Sequence, residues 1–195
     1  MNAAEHIVEA YFRLCRKCFT LTDLKVIKGN NRQFDLLAFN LRENLTFHVE
    51  VGVTHRPNWA PTIAQLESSF EKKFFGSVPK RDGKSSGKTD HEKGKTYFDQ
   101  IQSTYRAVGI DPDKVQRVWV CWIVKGKQNN EPITLDIISK TQNRQFIVEV
   151  LSMRDLLLPK LQNEIGTSNY DDEVLRTLGF VKQAHDQRKS IEKNK

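Results

Sequence analysis

Gln33-Phe34-Asp35-Leu36-Leu37-Ala38-Phe39-Asn40-Leu41 is followed by Arg42-Glu43-Asn44, and then by Leu45-Thr46-Phe47-His48-Val49-Glu50-Val51-Gly52-Val53-Thr54. Two apolar, strand-forming runs around three polar turn residues predict a β-hairpin. If the loop centre falls between Arg42 and Glu43, Asp35 lies opposite Glu50, with Cβ atoms roughly 5 Å apart. Phe34, Leu36 and Ala38 then share an apolar face with Phe47, Val49, Val51 and Val53. The other face carries Gln33, Asp35, His48, Glu50 and Gly52, with Leu37 and Phe39 farther along. Two carboxylates side by side repel unless a proton or a cation separates them. A hard divalent cation such as Mg²⁺, which prefers oxygen ligands, is the usual remedy. A solvent-facing sheet would tolerate the acids too, but Leu37 and Phe39 on the same face argue against full exposure.

Outward from the hairpin, residues 2–18 predict an amphipathic helix. Ile7, Val8, Tyr11, Phe12, Leu14 and Cys15 fall on one arc. Phe19–Ile27 reads as a preceding strand. Pro57 and Pro61 then break the chain, and Thr62–Phe75 predicts a helix with Ile63, Leu66, Phe70 and Phe74 on one face. Ser77–Gly94 is rich in Gly, Ser, Lys and Asp and reads as a mobile basic loop. Lys95–Val108 predicts another helix. Val118-Trp119-Val120-Cys121-Trp122-Ile123-Val124 is apolar on both faces, as expected for a strand in the middle of a sheet. Ile133–Ser139 and Gln145–Ser152 are further strands. Met153–Glu164 and Asp171–Leu178 are helices. The expectation is one α/β domain over residues 1–181, a central mixed sheet flanked by helices, with a disordered basic tail over 182–195.

The 195 residues carry a net charge of +7, with 38% hydrophobic residues. The excess is local: residues 71–95 hold eight basic and four acidic residues, and residues 182–195 hold five and two. Two basic segments suit a nucleic-acid partner, though solubility alone also accounts for them. No run of about 18 apolar residues is present, so no membrane span is expected. Three cysteines do not make a disulfide framework, and they point to a reducing, cytoplasmic compartment.

The order helix, three strands, helix, strand resembles the PD-(D/E)XK nuclease superfamily, of the restriction-endonuclease and Holliday-junction-resolvase types. The residues that carry it are Asp35 in Gln33-Phe34-Asp35-Leu36-Leu37 and Glu50 in His48-Val49-Glu50-Val51-Gly52. The resemblance implies a Mg²⁺ ion, replaceable by Mn²⁺, held by Asp35, Glu50 and the Val51 carbonyl. It implies that Gln33 lines the site and that an acid on the first helix, Glu5 with Glu9 as fallback, positions the metal or its water. It also implies a Lys two residues after the Glu, where this chain has Gly52. Lys73 is the replacement to expect, because it flanks the buried arc of its helix whereas Lys72 points away. Independently of the resemblance, the first basic segment offers Lys72, Lys80, Arg81, Lys84 and Lys88 as phosphate contacts. The implied activity is Mg²⁺-dependent DNA hydrolysis, in restriction, repair or defence; the sequence leaves open whether the chain works alone, as a homodimer or with a partner subunit. The alternatives are a fold retained for nucleic-acid binding or assembly without cleavage, and an RNA-directed nuclease.

Other motifs carry less. Cys15 and Cys18 both face the apolar arc, so their CxxC spacing reads as packing. Gly83-Lys84-Ser85-Ser86-Gly87-Lys88-Thr89 lacks the first glycine of a phosphate loop. His48 reads as a sheet-surface histidine, and Trp119 and Trp122 as core.

Overall fold

The computed structural model describes residues 1–54, 56, 59–79, 91–166 and 170–193. His55, Pro57, Lys80, Arg81, Lys84 and Lys88 lie outside the described residues. The chain is α/β, with a mixed six-stranded sheet between helical layers. Helix α1 (Ala3–Leu14) starts at Asn2, whose side chain accepts from the Ala4 and Glu5 amides while Glu5 reaches back to Asn2. This reciprocal cap satisfies donors that the first turn leaves free. Strands β1 (Phe19–Lys25), β2 (Gln33–Asn40) and β3 (Leu45–Val51) form an antiparallel meander.

The β2–β3 register is the expected one. Leu36 faces Val49, Leu37 faces His48, and Asn40 faces Leu45. Continued by one residue, it places Asp35 opposite Glu50. Asn44 closes the turn with a left-handed backbone, φ +53°. One side chain departs from the expected alternation. Phe34 packs with Leu37, Tyr105 and Val26 rather than with Leu36. The β1–β2 ladder skips Asp23, whose φ is +54°, and the alternation fails beside that irregular position.

Strand β3 pairs in parallel with β6 (Val115–Cys121), and β6 pairs in parallel with β8 (Arg144–Ser152). Strand β7 (Ile133–Ser139) closes the far edge, antiparallel to β8, giving the order β1-β2-β3-β6-β8-β7. β6 is therefore central, which explains its apolar run on both faces. Leu36, Ala38, Phe47 and Val49 pack on one side against Val8, Tyr11 and Phe12 of α1 and against Leu156 and Leu157. Those leucines end a π-helical turn that leads into α4 (Leu158–Glu164).

The other side is covered by α2 (Ile63–Lys73) and α3 (Phe98–Ala107). Leu66, Phe70 and Phe74 pack against Trp119, Cys121, Val148 and Val150, while Ile101 and Tyr105 pack against Phe34 and Leu37. Two bonds sets fix the end of α2. Glu71, buried, accepts from Ser139 Oγ at 3.2 Å, the Lys140 amide at 2.5 Å and Thr141 Oγ1 at 2.9 Å. Arg32 donates to the carbonyls of Lys72 and Ser77, each at 2.7 Å, with its guanidinium 5.0 Å from the Tyr97 ring centre. Helix carbonyls left unpaired at a C-terminus are thereby tied to the start of β2.

Two expected segments are corrected. Ser77–Gly94 is not a loop throughout: Ser77–Pro79 forms β4 and His91–Thr96 forms β5, an antiparallel pair. Helix α3 accordingly begins at Phe98, not at Lys95. The basic tail is helical too, as part of α5 (Glu173–Lys193). Asp172 caps this helix by accepting from the Val174 and Leu175 amides. Leu175 and Leu178 dock with Ala10, Leu161 and Ile165, Lys182 Nζ donates to the Ile165 carbonyl at 2.7 Å, and further turns grow from that nucleus. Residues 183–192 are exposed. No described helix is long and apolar enough to cross a membrane.

Removing Glu71 leaves three donors without their charged acceptor. Glu71→Ala should cost about 3 kcal/mol of stability in urea unfolding, since buried donors without partners are each penalised. A loss within the range of an ordinary surface change would contradict this anchoring role.

Candidate functional site

Asp35 on β2, Glu50 on β3 and Lys73 at the end of α2 meet at one point. The Lys73 ammonium lies 3.1 Å from Asp35 Oδ1 and 2.5 Å from Glu50 Oε2. The other oxygen of each carboxylate is already committed. Asp35 Oδ2 accepts from the Val51 amide at 2.8 Å, and Glu50 Oε1 is 2.8 Å from His48 Nε2. His48 Nδ1 is in turn 2.6 Å from the Tyr105 hydroxyl. Thus each acid is held by one oxygen and turns the other toward a shared cation.

Burial sets the electrostatics. The Glu50 and Asp35 side chains are 1% and 8% exposed, whereas that of Lys73 is 32% exposed and gives the group its access to solvent. Burial, and then the charge of Glu50, push Asp35 up to about 6 against the pull of Lys73 and the Val51 amide. Burial also raises Glu50, with Lys73 opposing. Burial works against the charged form of Lys73, but Glu50 and Asp35 together hold it above its ordinary value. His48 is pushed well below its usual range by burial and by Arg117, its neighbour on β6. It is therefore neutral. A neutral imidazole beside a carboxylate donates from Nε2, so Nδ1 accepts from Tyr105.

Gly52 shows why no lysine follows Glu50 on the strand. A Cβ built on Gly52 would lie 2.1 Å from Trp119 Cζ2 and 2.7 Å from Trp119 Cε2. The indole, pinned 5.6 Å from the Phe70 ring, fills the space a side chain at position 52 would need. The indole thus excludes a lysine at 52, and the ammonium beside Glu50 comes from α2 instead.

The remaining sequence-derived residues fall outside the bonded group. Glu5 is occupied by the α1 cap, with Asn2 at 2.8 and 2.6 Å. Its helix lies on the opposite side of the sheet. Glu9 accepts from Thr20 Oγ1 at 2.8 Å. Gln33 is exposed and donates to Asp23. Lys72 is exposed, and its carbonyl is bonded by Arg32. Residues 15 and 18 are free cysteines. The sequence reading missed His48 as a buried partner of Glu50. Its position two residues before Glu50 on one strand was the available signal. Tyr105, Arg32 and Trp119 gave no such signal.

Among the described residues, no three His, Cys, Asp or Glu side chains converge to hold a metal ion. Two carboxylate oxygens are the donor type a hard divalent cation prefers, and the Lys73 ammonium fills the position between them that such a cation would have to share or take. Two carboxylates against one ammonium also leave the group net negative when all are ionised.

No protein-family model, curated protein or solved structure matches the chain.

Two outcomes follow from the packing and the charges. Gly52→Ala should destabilise the protein by about 2 kcal/mol, the scale of overpacking in a filled core, read as a fall in thermal midpoint. The raised Asp35 carboxyl has a definite sign. In the unfolded chain Asp ionises near its ordinary value of 3.8, while the folded protein keeps the proton until about 6. Metal-free protein should therefore lose stability as pH rises from about 4 to about 6, with the penalty complete above that window. Asp35→Asn keeps an oxygen for the Val51 amide and should be about 2 kcal/mol more stable than the parent at pH 8 in EDTA. At pH 4 the two proteins should melt together.

Proposed function

We propose that this chain is a metal-dependent endonuclease that hydrolyses DNA phosphodiester bonds. The observation that carries the proposal is the Lys73 ammonium, delivered from α2 to both Asp35 and Glu50. It supplies from a helix the cation that Gly52 cannot supply from the strand. Asp35 Oδ1, Glu50 Oε2 and the Val51 carbonyl are the groups that would hold Mg²⁺ or Mn²⁺. A bound divalent cation lowers the pKa of a water and offsets charge developing on a phosphate.

The side chains divide the remaining work. Asp35 and Glu50, each fixed through its second oxygen, present hard donors in set directions. Lys73 is partly exposed and carries its proton firmly, so it can orient a water or face the negative charge that grows on the phosphate oxygens. No acid–base role falls to His48, which is sealed from solvent. The helix end that bears Lys73 also bears exposed Lys72, and an exposed lysine there can neutralise a phosphate and release its counterion. A second copy of the chain or a partner subunit would extend that contact.

The test is cleavage of plasmid, single-stranded DNA and RNA with Mg²⁺, Mn²⁺ or EDTA. Asp35→Ala and Glu50→Ala should abolish cleavage. Lys73→Ala should lower kcat by about 100-fold or more, the scale of losing one group that meets transition-state charge, while Lys72→Ala should change it little. Equal small effects of the two lysine changes would overturn the role of Lys73. Salt-sensitive DNA binding without any cleavage would replace the nuclease by a binding or assembly module. Cleavage confined to RNA would change the substrate alone.

A further inference from the structure

We propose that the buried pair His48–Tyr105 is a metal-selectivity device, which leaves Glu50 one oxygen to turn toward a cation and so favours a small octahedral cation over Ca²⁺. The inference rests on the metal-dependent reading above and specifies which cation that site takes.

The geometry is directional. Glu50 Oε1 is 2.8 Å from His48 Nε2, and His48 Nδ1 is 2.6 Å from the Tyr105 hydroxyl. Because the carboxylate needs a donor, Nε2 carries the hydrogen. Nδ1 is then an acceptor, and Tyr105 is the donor that fixes the tautomer. The imidazole has no freedom to turn away. Phe34 stands 4.3 Å from its ring centre, Phe74 stands 5.0 Å away edge-on, and Tyr105 stands 5.8 Å away. His48 and Tyr105 are both fully buried, so no water competes for these bonds.

The consequence for Glu50 is that only Oε2 points at the cation position, which the Lys73 ammonium fills at 2.5 Å and would share with or yield to a metal ion. Asp35 is restricted in the same way, since its Oδ2 accepts from the Val51 amide at 2.8 Å. Ca²⁺ takes six to eight oxygens and commonly recruits both oxygens of a carboxylate, whereas Mg²⁺ keeps an octahedron and several of its waters. A site with two single carboxylate oxygens matches the second pattern. His48 and Tyr105 are positioning residues: they touch neither metal nor substrate and act through Glu50. Tyr105 lies on α3, so packing of that helix reaches the metal ligand through two hydrogen bonds.

The experiment is calorimetric titration of the full chain with MnCl₂ and, separately, CaCl₂. The parent should bind Mn²⁺ at least about tenfold more tightly than Ca²⁺. Tyr105→Phe and His48→Leu should each weaken Mn²⁺ binding by about 10- to 100-fold, the range seen when partners of metal ligands are removed. Ca²⁺ binding should change less, so the Mn²⁺/Ca²⁺ ratio should collapse. His48→Gln retains an N–H that can reach Glu50, and it should keep a ratio near that of the parent. Circular dichroism melts report folding, and Tyr105→Phe, which preserves the ring, carries the comparison if His48→Leu does not fold. A parent that binds Mn²⁺, with a ratio unchanged in folded Tyr105→Phe, would overturn the selectivity device and leave the nuclease reading standing. A parent that binds no Mn²⁺ would overturn both.

Discussion

Lys73 supplies the positive charge that lets Asp35 and Glu50 stay close together inside the protein. Two buried carboxylates on adjacent strands repel each other and lose their hydration, and each cost falls on the hairpin that carries them. The ammonium comes from a different layer, the end of α2, so the hairpin and the helix must be held in fixed relation. Arg32 holds them at one side, from the start of β2 to the carbonyls of Lys72 and Ser77. Glu71 ties α2 at its other side to the β7–β8 turn, at the far edge of the same sheet. The charge cluster thus dictates where α2 must end, and two further polar anchors place it there.

The same logic orders the layers beneath. β6 pairs in parallel with β3 and brings Trp119 alongside Glu50. Phe70 and Phe74 of α2 pack on that indole. Phe74 also stands against His48, so one aromatic side chain touches both the core wall and the histidine that bonds Glu50. Core and site share side chains here, and a change in packing of α2 is felt by the carboxylates directly.

The pairing of Asp35 with Glu50 was legible because a short turn between alternating strands leaves only one register. Lys73 was legible because it flanks the buried arc of its helix. Glu5 was misplaced for a physical reason: a helical wheel says which side of a helix is buried but not which side of the sheet it covers. The acid of α1 also had a local partner, the free amides of its own first turn, which competed successfully for it. Tyr105 was invisible because it is 57 residues from His48 in the chain. Phe34 broke the alternation beside a left-handed Asp23, a backbone choice that residue type alone does not announce. The strands β4 and β5 were hidden because His91-Glu92-Lys93-Gly94-Lys95 has no apolar alternation. The helix over the basic tail grows from the docking of Leu175, outside the segment whose composition suggested disorder.

The contact between Gly52 and Trp119 has a bearing on the history open to this sequence. The indole lies where a side chain at 52 would begin, so either residue constrains the other. A chain that acquired a large side chain at 52 first would collide with the ring. One that lost the ring first would open a hollow beside a buried carboxylate. The two positions are therefore coupled, since neither can change size alone without a clash or a cavity. While this indole is in place, a lysine for the carboxylate pair has to arrive from another element, as Lys73 does.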